Sequence, residues 1–527
     1  MLAALRQRLT AEPDDRRVGA PSLRRYAVAG FAATAAVLVG AVLGGKTFIS
    51  HLPGAWFFGM PAGPLGGMST NSDHAPAVAV LLVYGGLAAS AVIWWRLLRA
   101  LRAHPGVPVR RVLRVIAAWS VPFVVAPPLF SRDAYSYAGQ GLLVHFHIDP
   151  YAYGTGVLGV TRFNLLAGPF WANTPSPYGP TFLSLDGLAA QLSSHQVLID
   201  LVLLRLLAVL GVALVAVGIP TLARSVGRDP ALAVLLGAGS PLILATLVGG
   251  AHNDALMLGL LIAGLAVWQR IGPVPGIALC ALAAGVKAPA ALGVVAIGWN
   301  WGPPDMRWPT RAWRTIGALG IGGATLAVLS TVSGVGWGWL LTFSGSDKVS
   351  TGVTPIDAAS HVVVAVSGIF GVHATVAGVR GVASIVGVCA AVLVGSWLLW
   401  HSPRLGVVKA LGLSLLVISL LGPVLWAWYV TWGIVVLAPV ATGGVRRAVV
   451  WIAVAESIIG ASSVLGILRS LAHDGFVADA MVVVGVASAV VMAARASLDG
   501  THASPQVHET ARHVPASFST AQSASGP

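Results

Sequence analysis

One carboxylate, Asp133, has the strongest sequence context for catalysis. It lies in SRDAYSYAGQG (131–141), which follows a wholly apolar run and opens the longest polar loop of the chain. A carboxylate in such a position can act as a general base on a hydroxyl group, and the nearby Tyr135, Tyr137 and Gln140 are residue types that suit sugar binding. The simpler alternative is an interfacial ion pair between Arg132 and Asp133, or a helix cap.

The same loop continues with two turns that contain proline and tyrosine. HIDPYAYG (147–154) brings Asp149 and Tyr151, and TPSPYGP (174–180) brings Tyr178. These turns are expected to fold the loop back onto the membrane and place aromatic rings near the carboxylate. Tyrosines at this depth also serve as membrane anchors, and that alternative stays open for each of them.

Two further polar stretches interrupt apolar runs. GGAHNDALM (249–257) places His252 and Asp254 where one predicted span ends and the next begins, so they are candidates to contact a donor phosphate or acceptor hydroxyls. The alternative is a polar turn satisfied by its own hydrogen bonds. Lys287 lies beside Pro289, which breaks the helix, so it either faces a phosphate or extends to the surface. Trp428 and Tyr429 are expected on the same side of the membrane.

The spacing of these histidines and aspartates matches no standard metal-ligand pattern. We therefore expect neither a metal ion nor another cofactor.

The elements that position these residues are membrane helices. Of the 527 residues, 56% are hydrophobic and only 9% are charged, which is outside the range of a soluble globular domain. Apolar segments of about 17 to 25 residues recur along the chain, and each can cross a hydrocarbon core about 30 Å thick. The predicted fold class is an all-α polytopic membrane protein with about 12 to 14 transmembrane helices.

The net charge of +14 orients the helices and does not indicate nucleic-acid binding. Arginines cluster beside predicted helix ends, at 6–25 and at 96–114, and no basic patch is interleaved with exposed aromatics. By the positive-inside rule these clusters are cytoplasmic, so loop 131–196 is predicted to lie on the outer, periplasmic face of the plasma membrane. Both termini are predicted to be cytoplasmic.

Three regions follow from this orientation. Residues 1–25 form a cytoplasmic basic leader, residues 26–495 the transmembrane domain with its structured outer loop, and residues 496–527 a disordered cytoplasmic tail. The apolar stretch 274–300 is expected to be a hairpin of two half-length helices, because a straight span would carry the following arginines outside. Segment 333–380 is placed outside, with 356–371 on or in the membrane. The other predicted spans are 26–49, 76–98, 112–130, 197–222, 230–249, 255–269, 315–333, 382–400, 407–425, 428–441, 448–466 and 477–494.

The polar stretches, in this order and spacing, resemble the actinobacterial polyprenyl-phosphomannose-dependent α-1,6-mannosyltransferases of the GT-C superfamily. The resemblance rests on SRDAYSYAGQG, DPYAYG, SPYGP, AHNDALMLGL and the Lys287 region. It implies that Asp133 is the essential acidic residue that such enzymes carry in an early outer loop. The sequence departs from the family in GPVLWAWYVTW (422–432), where relatives usually have proline at the position of Ala427.

The resemblance also implies a reaction. Mannose would pass from polyprenyl-phosphomannose to the 6-hydroxyl of a mannan or phosphatidylinositol-mannoside acceptor, with inversion and with Asp133 as the base. Lys287, His252 and Arg132 would stabilise the departing phosphate. Two alternatives remain: another lipid-phosphate-sugar transferase, arabinosyl or protein mannosyl, and a lipid or polysaccharide transporter. A transporter would show symmetry between its halves, whereas a transferase would have one outward cavity with Asp133 at its floor.

Overall fold

The computed structural model describes residues 22–43, 75–159, 161, 167, 169–341, 355–371 and 373–459. Every regular element in these ranges is helical, which confirms the predicted all-α fold class. Most of the predicted leader 1–25, the predicted span 477–494 and the predicted tail 496–527 lie outside the described residues.

The main helices follow one another with short connections, apart from the outer loop. In chain order they are α1 (Leu23–Leu43), α2 (Ala75–Ala103), α3 (Val109–Val125), α4 (Asp133–His145), α5 (Pro180–Leu192), α6 (Val197–Ser225), α7 (Pro230–Gly237), a π-helix (Ile243–Gly249), α8 (Asp254–Arg270), α9 (Pro273–Ala284), α10 (Ala291–Trp299), α11 (Trp308–Ser333), α12 (Pro355–Ile369), α13 (Val376–Trp400), α14 (Val407–Leu421), α15 (Val430–Leu437) and α16 (Gly443–Ile459). Single helical turns at Thr155–Leu158, Pro169–Ala172, Ala288–Ala290, Gly338–Leu340 and Ser402–Leu405 complete the set.

Within the described ranges, five helices are individually long and apolar enough to cross a membrane: α1, α2 (from Leu81), α6, α11 and α13. Large apolar side chains on α11 and α13 are exposed, with 80% exposure for Val332 and 70% for Leu393. Contiguous apolar surface of this kind is stable against lipid and not against water. The structure therefore supports a polytopic membrane protein.

The predicted span 230–249 is not one continuous helix. The chain forms α7, breaks, and then forms the π-helix. The axis of the π-helix is bent by 111° from that of α8, where the sequence analysis predicted separate spans. Proline at 241 has no backbone N–H to continue the hydrogen-bond ladder of α7. The bend places the GGAHND stretch at a turn between two differently directed helices.

The predicted hairpin over 274–300 is present. A Cβ atom built on Gly293 would lie 3.1 Å from the Cys280 sulfur, although 13 residues of continuous helix would separate these positions by about 20 Å. The chain must therefore reverse between α9 and α10, and Lys287 lies at the tip of the reversal. The open end of the hairpin faces the start of α11, where the Arg311 guanidinium donates to the Trp299 carbonyl at 2.8 Å.

Basic residues and the predicted site lie at opposite ends of the bundle. Helix α3 carries Arg110, Arg111 and Arg114 near its beginning and leads to Asp133 beyond its end, a separation of about 25 Å along the helix axis. The hairpin repeats this pattern, since its tip carries Lys287 and the opposite end lies beside Arg311.

The outer loop is folded along its described length. Helices α4 and α5 pack against each other, and the Ser176 backbone N–H donates to the Pro150 carbonyl at 2.8 Å. Gly338, from the second predicted outer segment, packs so closely on Tyr151 that a Cβ atom there would collide with the tyrosine. The two predicted outer segments therefore lie on the same side of the molecule.

Candidate active site

Asp133 is the first residue of α4. The Ser131 hydroxyl accepts a hydrogen bond from the Asp133 backbone N–H at 3.0 Å and so fixes the turn that begins the helix. Phe130, just before this turn, has a positive φ of 60°, which redirects the chain after α3. The Asp133 side chain is buried but retains 11% of its exposure.

His252 approaches Asp133 from the bend between the π-helix and α8. Its Nδ1 lies 3.4 Å from Asp133 Oδ2, an ion-pair distance. The other side of the imidazole is stacked on Trp428, with 3.8 Å between the ring centroids and 24° between the planes. Three distant parts of the sequence therefore meet around one carboxylate, and the imidazole ring has little freedom to turn.

Tyr137 joins Asp133 to the next group. One turn further along α4, its hydroxyl lies 3.5 Å from Asp133 Oδ2 and 3.4 Å from Asn253 Oδ1. Its ring packs edge to face on Tyr178, with centroids 5.3 Å apart. The proline-tyrosine turn at 174–180 is thus folded back onto the carboxylate, as the sequence predicted.

Lys287 and Asp254 form the second charged pair. The ammonium nitrogen lies 3.0 Å from each carboxylate oxygen, and the Trp432 indole N–H donates to Asp254 Oδ1 at 2.6 Å. The Asp254 side chain is fully buried, whereas that of Lys287 retains 13% exposure. The lysine is therefore the more accessible member of the pair.

Aromatic rings surround the Lys287 ammonium. The nitrogen lies 4.5 Å from the Tyr429 ring centroid, 5.4 Å from that of Trp432 and 5.9 Å from that of Tyr178. Ring faces attract a cation, and they exclude water from one side of it. The charge of Lys287 nevertheless also acts on Asp133.

The charges around Asp133 determine its protonation state. Burial by itself raises the pKa of a carboxyl group, but the His252 imidazole, the Lys287 ammonium and the Ser131 hydroxyl together outweigh that effect and keep the pKa of Asp133 below its ordinary value. Asp133 is therefore ionised at neutral pH, which is the form that can accept a proton.

Several buried polar atoms of the predicted site residues and their neighbours have no hydrogen-bond partner among the described residues. They include the Asn253 amide nitrogen, the Trp428 indole nitrogen and the Tyr151 hydroxyl. Buried donors without a partner are rare in folded proteins, because each forfeits hydrogen bonds with water.

The predicted site residues thus fall into two groups. Most converge around the two charged pairs, within contact of Asp133 or Lys287: Tyr137, Tyr178, His252, Asp254 and Tyr429, with Trp428 behind His252. Arg132 precedes Asp133 at the beginning of α4 and is partly buried. The Asp149 carboxylate accepts from the Tyr151 backbone N–H at 2.8 Å and shapes the turn that brings Tyr151 against Gly338.

Three predicted sugar contacts have other roles in this structure. Asp254 is fully buried and its oxygens are bound to Lys287 and Trp432, so it is the counter-ion of the lysine. Gln140 is 2% exposed and binds Ser136 at 3.1 Å and Ser176 at 2.7 Å, so it joins α4 to the proline-tyrosine turn. Tyr135 is 2% exposed and packs within α4. The polar atoms of Asp254 and Gln140 are therefore engaged in contacts within the protein.

Two important residues escaped the sequence analysis. Trp432 belongs to a run of aromatics in which no single ring is distinguished by spacing. Arg205 lies inside the apolar run LVLLRLLAVL (201–210) and its guanidinium makes several buried hydrogen bonds. A charged residue within a predicted membrane span is a recognised signal of function, and this signal could have singled out Arg205 from the sequence alone.

The sequence matches two protein families. Residues 27–303 match the family described as Alpha-(1->6)-mannopyranosyltransferase, N-terminal domain, and residues 356–498 match the MptB C-terminal domain. The first match contains all residues of the two charged pairs.

Similar proteins come from mycobacteria and corynebacteria. A protein of Mycolicibacterium smegmatis named "Probable alpha-(1->6)-mannopyranosyltransferase" is 32% identical over 73% of this chain and 75% of its own length. Alpha-(1->6)-mannopyranosyltransferase A of Mycobacterium tuberculosis is 32% identical over 72% of this chain and 74% of its own. Alpha-(1->6)-mannopyranosyltransferase B of Corynebacterium glutamicum is 28% identical, covering 62% and 58%. No solved structure matches the chain.

Proposed function

The chain belongs to the actinobacterial alpha-(1->6)-mannopyranosyltransferase family, and we propose that it transfers mannose from polyprenyl-phosphomannose to the 6-hydroxyl of an α-mannan acceptor. The observation that carries this proposal is the environment of Asp133. It is an ionised, slightly accessible carboxylate beside the His252 imidazole, and its pKa is also lowered by the charge of Lys287, which is paired with Asp254.

The proposed step needs one base. Asp133 accepts the proton of the 6-hydroxyl as its oxygen attacks the anomeric carbon from the face opposite the phosphate. The bond between the anomeric carbon and the phosphate oxygen breaks, and its electron pair leaves with the polyprenyl phosphate. Because this leaving group is a stable anion, no general acid is required, in contrast to the paired carboxylates of glycosidases. A single displacement converts a β-linked donor into an α-linked product.

Lys287 is the proposed electrostatic partner of the departing phosphate. Its ammonium is held by Asp254 and by aromatic rings, and the side chain keeps 13% exposure. A pre-placed cation stabilises the negative charge that develops on the phosphate. His252 and Arg132 are proposed to assist as hydrogen-bond donors on either side of Asp133.

Sugar recognition is proposed for the aromatic and amide groups around this centre. Tyr178, Trp428 and Tyr429 offer ring faces, and Asn253 and Tyr151 offer polar atoms that lack partners among the described residues. Tyr137 positions Asp133 through its hydroxyl. Asp149 supports the Tyr151 turn from outside the centre.

The proposed location is the outer face of the plasma membrane. The arginine-rich connections lie at the end of the bundle away from Asp133, and such connections are cytoplasmic under the positive-inside rule. The acceptor is then a mannan or phosphatidylinositol-mannoside chain of the cell envelope. The scheme uses no metal ion.

The experiment is transfer with defined substrates. Purified protein in detergent or nanodiscs is incubated with polyprenyl-phosphomannose and a short α-1,6-mannoside, and the product linkage is determined by NMR. The proposal expects a new α-1,6 bond and equimolar polyprenyl phosphate. Turnover of polyprenyl-phosphoarabinose instead of the mannose donor, or movement of lipid across vesicles without a new bond, would contradict it.

A further inference from the structure

Arg205 is a buried charge deep in α6. It is 6% exposed and lies eight residues from the beginning of α6, or about 12 Å along its axis. A cation at such a depth is costly unless it is fully hydrogen-bonded, and arginines kept there mark a function.

Its guanidinium binds only backbone carbonyls in the described contacts. Nη1 donates to Phe123 and Val124, each at 3.1 Å, and to Ala126, while Nη2 donates to Gly249 at 2.8 Å. The first three carbonyls belong to the end of α3, and the fourth ends the π-helix. Arg205 therefore joins the ends of two helices that are distant in sequence.

The sequence explains why the carbonyls of α3 need an outside donor. In a continuous helix, the carbonyls of Phe123 and Val124 would accept from the N–H groups four residues later. Those positions are Pro127 and Pro128, which have no N–H. The planar guanidinium of Arg205 replaces both missing donors, at a helix terminus where positive charge is favourable.

The Gly249 carbonyl has a second donor. The Leu129 backbone N–H lies 3.0 Å from it, so two hydrogen bonds meet on one oxygen. Leu129 precedes Asp133 by four residues, and Gly249 precedes His252 by three. The segment that precedes Asp133 is therefore hydrogen-bonded to the segment that precedes His252.

Both segments then pass through strained backbone. Phe130 has φ 60° and Ala251 has φ 53°, although non-glycine residues rarely occupy this region. Such conformations persist where the surrounding contacts impose them. Leu129, which donates to the Gly249 carbonyl, directly precedes Phe130, and Gly249 lies two residues before Ala251.

We propose that Arg205 is a positioning residue that sets the separation between Asp133 and His252. The inference rests on the proposed function, in which the 3.4 Å contact between His252 and Asp133 keeps the Asp133 carboxylate ionised and oriented. Arg205 itself touches neither substrate nor reacting atoms. Its guanidinium fixes the two turns from which these residues project.

The conservative variant Arg205→Lys tests the proposal kinetically. Lysine keeps the charge but has one nitrogen in place of the guanidinium fork, so it cannot hold both helix ends. We expect kcat to fall roughly ten- to a hundredfold while the donor KM stays within about twofold. The acid limb of the pH profile should move to higher pH as Asp133 loses the influence of His252. Reduced protein stability with an unmoved acid limb would overturn the proposal.

A disulfide offers a reversible replacement for the lost hydrogen bonds. A Cβ atom at Gly249 would lie 3.5 Å from Leu129 Cγ, which is the position that a cysteine sulfur would take at residue 129. Leu129→Cys and Gly249→Cys are introduced into Arg205→Lys, with the exposed Cys389 replaced by serine. Oxidation should restore kcat at least about fivefold over the reduced form of the same protein. Equal activity in the two forms would overturn the proposal.

The rate of cross-linking separates this inference from the proposed function. It is read on a gel and does not depend on sugar transfer. The disulfide should form faster with Arg205 intact than in Arg205→Lys, because the arginine holds the two segments together. If this difference is found while Asp133→Asn retains turnover, the proposed function is wrong but the positioning role of Arg205 is supported. Equal rates of cross-linking would overturn the positioning role, whatever the activity of Asp133→Asn.

Discussion

Asp133 differs from the other buried carboxylates of the described chain in its surroundings. Asp254 is neutralised by Lys287, and both oxygens of Asp186 lack a hydrogen-bond partner in the described residues. Asp133 alone combines an ionised state, residual exposure and an adjacent imidazole. At the scale of the residue, this combination is the reason for proposing Asp133 as the base.

His252 determines the pH range in which Asp133 can act. Burial raises the pKa of Asp133 and His252 opposes it, so His252→Gln should raise that pKa. The base works when ionised, so the acid limb of kcat should move to higher pH. Wild-type enzyme should show no loss until pH approaches the ordinary aspartate pKa of about 3.9. The measurement is kcat between pH 4.5 and 8.

The control for this prediction is His195→Gln. His195 is an exposed histidine of the same outer loop that packs on His145 and Phe146, away from Asp133. Its variant should retain the wild-type pH profile. Superimposable profiles for His252→Gln and the control would show that the imidazole does not tune the carboxylate.

At the scale of the element, the α9–α10 hairpin carries Lys287 at its tip, and the proposed function makes this lysine the partner of the donor phosphate. We expect Lys287→Ala to raise the KM for the lipid donor by about tenfold or more, because a cation facing the phosphate is lost. The acceptor KM should change little. The measurement is initial rate against donor concentration at saturating acceptor.

Lys409→Ala provides the comparison for the lysine. Lys409 lies near the beginning of α14, in the part of the bundle that carries Arg404. An unchanged donor KM in Lys287→Ala, equal to that of Lys409→Ala, would mean that Lys287 only stabilises the hairpin through Asp254.

Two glycines allow helices α6 and α8 to pack closely against each other. A Cβ atom at Gly211 would collide with the Ala255 backbone, and one at Gly259 would lie 2.5 Å from the Gly211 carbonyl. Small residues allow membrane helices to approach this closely. Gly211→Val should therefore displace α8, lower the thermal midpoint by several degrees and reduce kcat, since α8 carries Asp254.

Gly317→Val is the matched substitution in another long membrane helix. A Cβ atom at Gly317 in α11 meets no other atom within 4 Å. This variant should keep both the midpoint and kcat. An equal loss in the two variants would show that added bulk in any span, and not the α6–α8 contact, causes the effect.

Local chemistry made part of this site predictable. The polar stretches stand out from their apolar surroundings, and Pro289 beside Lys287 indicated the helix break, so the convergence of Asp133, His252 and Lys287 was anticipated. The break within 230–249 and the role of Asp254 as a counter-ion were not. They depend on contacts between residues far apart in sequence, such as that between Trp432 and Asp254, which periodicity does not encode.

At the scale of the whole molecule, the two ends of the bundle should face opposite sides of the membrane. Tyr153 is 52% exposed in the outer loop, and Asp305 is exposed in the turn between α10 and α11. In a background with Cys389 replaced by serine, Tyr153→Cys should react with a membrane-impermeant maleimide in intact cells. Asp305→Cys should react only after permeabilisation. The reverse pattern would place Asp133 at the cytoplasmic face.

The central claim, that Asp133 is the base of mannosyl transfer, is tested most directly by kcat of Asp133→Asn with polyprenyl-phosphomannose and a short α-1,6-mannoside. Asp186→Asn is the control, because burial and the neighbouring Asp200 raise the pKa of Asp186 well above its usual range and its neutral carboxyl resembles the amide. We predict a loss of at least about a thousandfold for Asp133→Asn, with normal folding and near-normal activity of Asp186→Asn. Turnover of Asp133→Asn within tenfold of wild type would contradict the assignment.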